Sequence, residues 1–67
     1  MNKTNILNII DGAVLFELHT KFGYSSGKIN PDKLEFVTDK LIKITEEHKK
    51  YTYIDVGAVD RITVTTI

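Results

Sequence analysis

Between Leu34 and Tyr51 the chain repeats at alternating steps of three and four. Leu34, Val37, Leu41, Ile44, His48 and Tyr51 fall on one stripe if the segment is wound as a helix. Asn30-Pro31-Asp32 supplies the start signals for such a helix: a capping side chain, a proline at the first position and an acid in the first turn. Asp39 with Lys43, and Glu46 with Lys50, stand as acid-before-base pairs four apart on the polar side. The pattern predicts a helix from about Pro31 to Lys50, with Phe36 and Ile42 off the stripe and widening its apolar face.

Farther along, the period changes to two. Tyr51 to Val56 and Arg61 to Ile67 are rich in β-branched and aromatic residues, and Ile62 and Val64 alternate with Thr63 and Thr65. The two runs predict a hairpin closed by the loop Gly57-Ala58-Val59-Asp60.

Residues before Gly23 admit two patterns. Pairing outward from Asp11-Gly12, a favoured hairpin turn, sets Ile10 opposite Ala13, Ile9 opposite Val14 and Leu7 opposite Phe16. Leu7, Ile9, Val14, Phe16 and Leu18 then share one face. A helix instead scatters Asn8, Asp11, Glu17, His19 and Lys21 around its circumference and places Gly12 in its interior, at about 1 kcal/mol. The hairpin accounts for more residues. The expected architecture is α+β in the order β-β-α-β-β, a small antiparallel sheet with one helix on one face; the alternative is α-α-β-β.

Leu18-His19-Thr20-Lys21-Phe22-Gly23-Tyr24 resembles a motif of short bacteriophage and prophage proteins from Gram-positive bacteria, Leu-His-x-x-Phe-Gly-Phe-Gly followed by a basic helix. The resemblance covers seven residues. Ser25 stands where that motif has its second glycine, and Ser26 to Asn30 delay the next element. It implies a helical segment over residues 13–22 and a small phage-type protein, with no known chemistry attached.

A chain of 67 residues makes one small domain, residues 1–67, with a thin core. It has no cysteine, so disulfides and thiolate metal sites are excluded, which fits a reducing compartment. No run approaches the roughly 20 apolar residues of a membrane span. A cytoplasmic protein is expected, in the host cytoplasm if phage-encoded, with no membrane partner. Nine basic and nine acidic residues cancel, and Arg61 is the one arginine, unlike the clustered positive excess of a general nucleic-acid binder.

GYSSGK, residues Gly23 to Lys28, invites comparison with a phosphate-binding loop. The P-loop needs four residues between its glycines and a hydroxyl after the lysine. Here three residues separate Gly23 from Gly27, and Ile29 follows Lys28, so the stretch reads as a connector. His19 and His48 lack close metal-ligand spacing. A Ser-His-Asp set can be drawn from Ser25 or Ser26, His19 and Asp55 or Asp60, but loop serines lack the rigid support that nucleophilic catalysis demands. No catalytic residue, metal or cofactor is assigned.

What remains is surface. The predicted hairpin carries Ile6, Ile10, Ala13 and Leu15 on its second face, and one helix covers only one side of a sheet. The leading expectation is a non-catalytic protein-interaction module, a homodimer that also binds an unidentified protein as a phage-type inhibitor or accessory factor. Its expected interface takes in Ile6, Ile10 and Leu15, with Phe36 and Ile42 from the helix and Val64 and Ile67 from the last strand. The alternative is a nucleic-acid binder using Lys49, Lys50, Tyr51, Tyr53 and Arg61.

Overall fold

The computed structural model describes residues 1–67. The chain is α+β, but the helix comes first: α1 (Lys3–Ile10) precedes β1 (Leu15–Thr20), β2 (Leu34–Thr38), β3 (Leu41–Thr45), β4 (Tyr51–Asp55) and β5 (Val59–Thr65). The order β-β-α-β-β is therefore corrected to α-β-β-β-β-β, and α-α-β-β fails with it. The strands form two antiparallel sheets, β1-β5 and β2-β3-β4.

The segment before Asp11 is the short helix α1. Asn2 caps it by accepting a hydrogen bond from the Asn5 N–H at 2.8 Å. Ile6 and Ile10, one turn apart, insert into the core. Asp11-Gly12 is a turn, but it links helix to strand: Gly12 takes φ +75° and Ala13 N–H bonds to Ile10 C=O. β1 then alternates, Phe16, Leu18 and Thr20 inward and Leu15, Glu17 and His19 outward. The helix over residues 13–22 that the phage-protein resemblance implies is not formed.

The predicted Pro31–Lys50 helix is replaced by a hairpin. Asn30-Pro31-Asp32 opens only a single 3-10 turn, Pro31–Lys33, in which Lys33 N–H bonds to Asn30 C=O at 3.0 Å. Beyond it a period of two prevails. Leu34 and Phe36 pair with Ile44 and Ile42 and face the core, while Glu35 pairs with Lys43 on the outer side. The β-branched residues Val37, Thr38, Ile42, Ile44 and Thr45 suit this pleat better than a helix. The expected helical ion pairs dissolve accordingly. Asp39 pairs with Lys3 at 3.3 Å, and Glu46 and Lys50 are joined through the backbone.

Both C-terminal strands form near their expected bounds but do not pair with each other. The 3-10 turn Val56–Ala58 carries the chain from the β2-β3-β4 sheet to β1, against which β5 runs from Thr65 opposite Leu15 to Val59 opposite Thr20. Asp55 accepts a hydrogen bond from Gly57 N–H and fixes that turn. One core joins everything: Ile6 and Ile10 from α1, Phe16 and Leu18 from β1, Ile42, Ile44 and Ile54 from the three-stranded sheet, Val56 from the crossover and Val59 from β5. No helix is long and apolar enough to cross a membrane.

Candidate functional site

Because Ile54 is buried, alternation along β4 turns Tyr51, Tyr53 and Asp55 to the outer face of the three-stranded sheet. Both tyrosines lie open, at 45% and 57% exposure. On β3, Lys43 stands between the buried Ile42 and Ile44 and points the same way. It sits opposite Tyr53 in register, with Glu35 of β2 on its other side, and its Nζ lies 4.3 Å from the centre of the Tyr51 ring. Val37 extends the apolar part of this face.

The turn between β3 and β4 adds cations. Lys50 N–H bonds to Glu47 C=O at 3.1 Å, and the two central residues, His48 and Lys49, take φ +55° and +64°. Asn-Gly ordinarily fills such a turn, because L side chains are strained in the left-handed region. Here the turn presents His48, Lys49 and Lys50, all exposed.

β4 is also an open edge. Val56 N–H bonds to Lys40 C=O, and Glu46 N–H to Lys50 C=O, which sets the even-numbered residues of β4 as the hydrogen-bonded partners of β3. The N–H and C=O groups of Tyr51, Tyr53 and Asp55 therefore point away from the sheet, where no strand follows.

Of the residues expected at a nucleic-acid contact, the fold brings Lys49, Lys50, Tyr51 and Tyr53 together on the β3-β4 hairpin. Arg61 lies on β5 in the other sheet, opposite His19. Lys43 belongs to the site and is not legible under a helical reading, which places it on a wet flank beside Asp39. Of the expected interface, Ile6, Ile10 and Ile42 are corrected: each is buried in this chain's own core. Phe36 is half-buried against that core. Leu15 and Val64 lie on opposite faces of the β1-β5 sheet, and Ile67 is fully exposed. These residues make no common patch.

The hydroxyls of the Gly23–Lys28 stretch serve the loop itself. Ser26 Oγ accepts from Leu18 N–H at 2.9 Å and donates to Gly27 C=O, and Ser25 Oγ accepts from Gly27 N–H. The buried Thr20 Oγ1 accepts from the N–H groups of Phe22 and Tyr24. The loop folds back along β1 through reciprocal bonds between Phe16 and Ile29. It is a structured connector.

Tyr24, near the start of that loop, brings its hydroxyl beside Thr52 and Glu46. The Thr52 hydroxyl donates a hydrogen bond to the Glu46 carboxylate, and Tyr24 Oη is left buried without a hydrogen-bond partner. Burial pushes the Tyr24 pKa up, the Glu46 carboxylate adds to this, and the Thr52 hydroxyl offsets it only in part. Elsewhere, His19 and Glu17 approach to 3.7 Å on the outer face of β1, and no three His, Asp or Glu side chains gather as a metal site. The largest cleft, about 740 Å³, lies between the start of α1 and the Asp39–Lys40 and Val56–Gly57 turns, and carries Lys3 and Lys40 against Asp39 and Asp55.

No family model matches the chain, and no curated protein or solved structure matches it significantly.

Proposed function

We propose that this chain is a non-catalytic protein-interaction module whose contact surface is the outer face and open edge of β4. The single observation that carries this reading is the side-by-side exposure of Tyr51 and Tyr53, with Lys43 over one ring, on a sheet face that nothing covers. Tyrosines supply large, rigid contact area with a polar tip and are enriched where proteins meet. Charges of both signs flank them, Lys43 and the turn residue Lys49 against Glu35 and Asp55, and the net charge is zero. That balance suits a protein surface better than a polyanion. The role of inhibitor or accessory factor rests on the Leu18–Tyr24 resemblance alone, whereas the contact surface stands without it.

The test is a photo-crosslinking side chain placed at position 53, with position 63 on the outer face of β5 as control, used in the cell that makes the protein. A discrete protein adduct at 53 and none at 63 is expected. Equal labelling at both positions overturns the reading.

A second reading draws on the same residues. Exposed rings beside lysines also make a platform on which single-stranded bases stack. A single-stranded oligonucleotide titrated at rising salt tests it, because phosphate contacts by Lys43, Lys49 and Lys50 would make affinity fall steeply. Salt-independent or absent binding removes it.

A further inference from the structure

The geometry points to a second copy of this chain as the partner, added antiparallel along β4 about a twofold axis at Tyr53; this rests on the reading of β4 as the contact surface.

Three consecutive outward-facing positions, Tyr51, Tyr53 and Asp55, are centred on Tyr53. An antiparallel pairing of β4 with itself therefore sets Tyr53 opposite Tyr53 of the second copy, in a pair that exchanges both backbone hydrogen bonds. Tyr51 falls opposite Asp55 of the second copy, and Thr52 opposite Ile54. Asp55 is the one charged residue of the strand YTYID, and this register never places it against itself. No like charges meet, aromatic faces aromatic at the axis, and a carboxylate arrives beside Tyr51, on the side of the sheet that carries Lys43.

The other edges are guarded more heavily than this one. Ser25 and Ile29 bridge to β1 along its side away from β5. β2 is bulged between Phe36 and Thr38. β5 carries Asp60 and Arg61 and opposes an irregularity at His19 and Thr20. β4 has no bulge, no lysine and no proline, and its single charge, Asp55, lies at its end beside Lys21 and Phe22. Joining two copies gives one six-stranded sheet whose four tyrosines step diagonally across the two central strands. Most stable complexes bury more than five residues of strand per partner, about 1,200–2,000 Å² in total, so the dimer is concentration-dependent.

The chain has no cysteine, which makes a decisive experiment available. Cα atoms in such a hydrogen-bonded pair stand about 5.5 Å apart, within disulfide reach. Tyr53→Cys is expected to form a disulfide dimer under mild oxidation roughly tenfold faster than Thr63→Cys at equal concentration, because pairing raises the effective thiol concentration. Native mass by light scattering should rise toward twice the chain mass as the wild-type protein is concentrated. Tyr53→Pro removes an N–H that the sheet does not use and should hold the mass at one chain. Wild-type protein that stays monomeric at millimolar concentration, or equal cross-linking of the two cysteine variants, overturns the dimer. The photo-adduct at position 53 separates the two readings. An adduct with a different protein keeps the contact surface and overturns the self-pairing, and no adduct of any kind overturns both.

Discussion

Lys43 Nζ sits 4.3 Å from the centre of the Tyr51 ring, reaching diagonally across the β3-β4 pair from its register partner Tyr53. A cation this close to an aromatic face is worth about 0.5–1 kcal/mol at an exposed site. Tyr53, without such a partner, is the more exposed of the two.

Replacing Lys43 with Met keeps the aliphatic stem and deletes the charge. A double-mutant cycle of Lys43→Met with Tyr51→Leu, read by denaturant unfolding, should return a coupling of about 0.5 kcal/mol. A coupling of zero means that the ammonium faces water and the ring is unheld.

The β3-β4 turn has the wrong residues for its shape. His48 and Lys49 both occupy the left-handed region, where an L side chain costs about 1–2 kcal/mol. Changing Lys49 to Gly relieves this at the position where a two-residue hairpin turn prefers glycine, against some added entropy in the unfolded chain. A gain of about 0.5–1 kcal/mol in unfolding free energy is expected. The same change removes one cation from the tip, so a fall in partner affinity with a rise in stability would place Lys49 in the contact.

Helix α1 offers a contrast within a single turn. Ile6 is fully buried, and its neighbour Leu7 is 45% exposed. Ile6→Ala should cost about 2–5 kcal/mol and Leu7→Ala much less, by thermal or chemical denaturation. For a chain of this size the whole stability is about 3–10 kcal/mol, so the first change can unfold it. Equal effects would put residues 3–10 back in the hairpin that Asp11-Gly12 suggests.

Much of the strand content is readable at the end of the chain, and the reason is local. Ile62-Thr63-Val64-Thr65 alternates cleanly, and Tyr51-Thr52-Tyr53-Ile54 is an unbroken run of β-formers. Leu34 to Thr45 is harder because two strands follow each other across a tight turn and their apolar positions run together. The turn at Asp39-Lys40 then shifts the phase, so Leu34, Val37, Leu41 and Ile44 also fit a helical stripe. Asn30-Pro31-Asp32 serves a single 3-10 turn as well as it serves a long helix. In α1 the Ile6–Ile10 spacing is present, yet Asn, Thr and Ile are weak helix formers, and burial, not propensity, decides the outcome. Pairing is the least local property. Nothing in β4 or β5 announces that the Val56–Ala58 turn sends them to different sheets. The site follows the same division: Tyr51 and Tyr53 are visible as an aromatic pair, whereas Lys43 joins them only once residues 41–45 are a strand.

Tyr24 gives the last prediction, in pH. Its hydroxyl is buried without a partner, and burial raises its pKa above the ordinary tyrosine value of 10.0. The folded state therefore holds this proton to higher pH than the unfolded state does. Its contribution to stability is complete below pH 10 and is lost as pH rises through the folded value. Unfolding free energy measured from pH 8 upward should turn down beyond about pH 10, and Tyr24→Phe should flatten that fall. At neutral pH the same substitution removes an unpaired polar atom and keeps the ring against the core, so stability should hold or rise by up to about 1 kcal/mol. A clear loss at neutral pH would show that the Tyr24 hydroxyl makes a hydrogen bond after all, with Thr52 as the nearest candidate. Thr52→Val then separates the cases: it should lower stability by freeing Glu46 whether or not Tyr24 is bonded, but only a bonded Tyr24 would make the two substitutions non-additive.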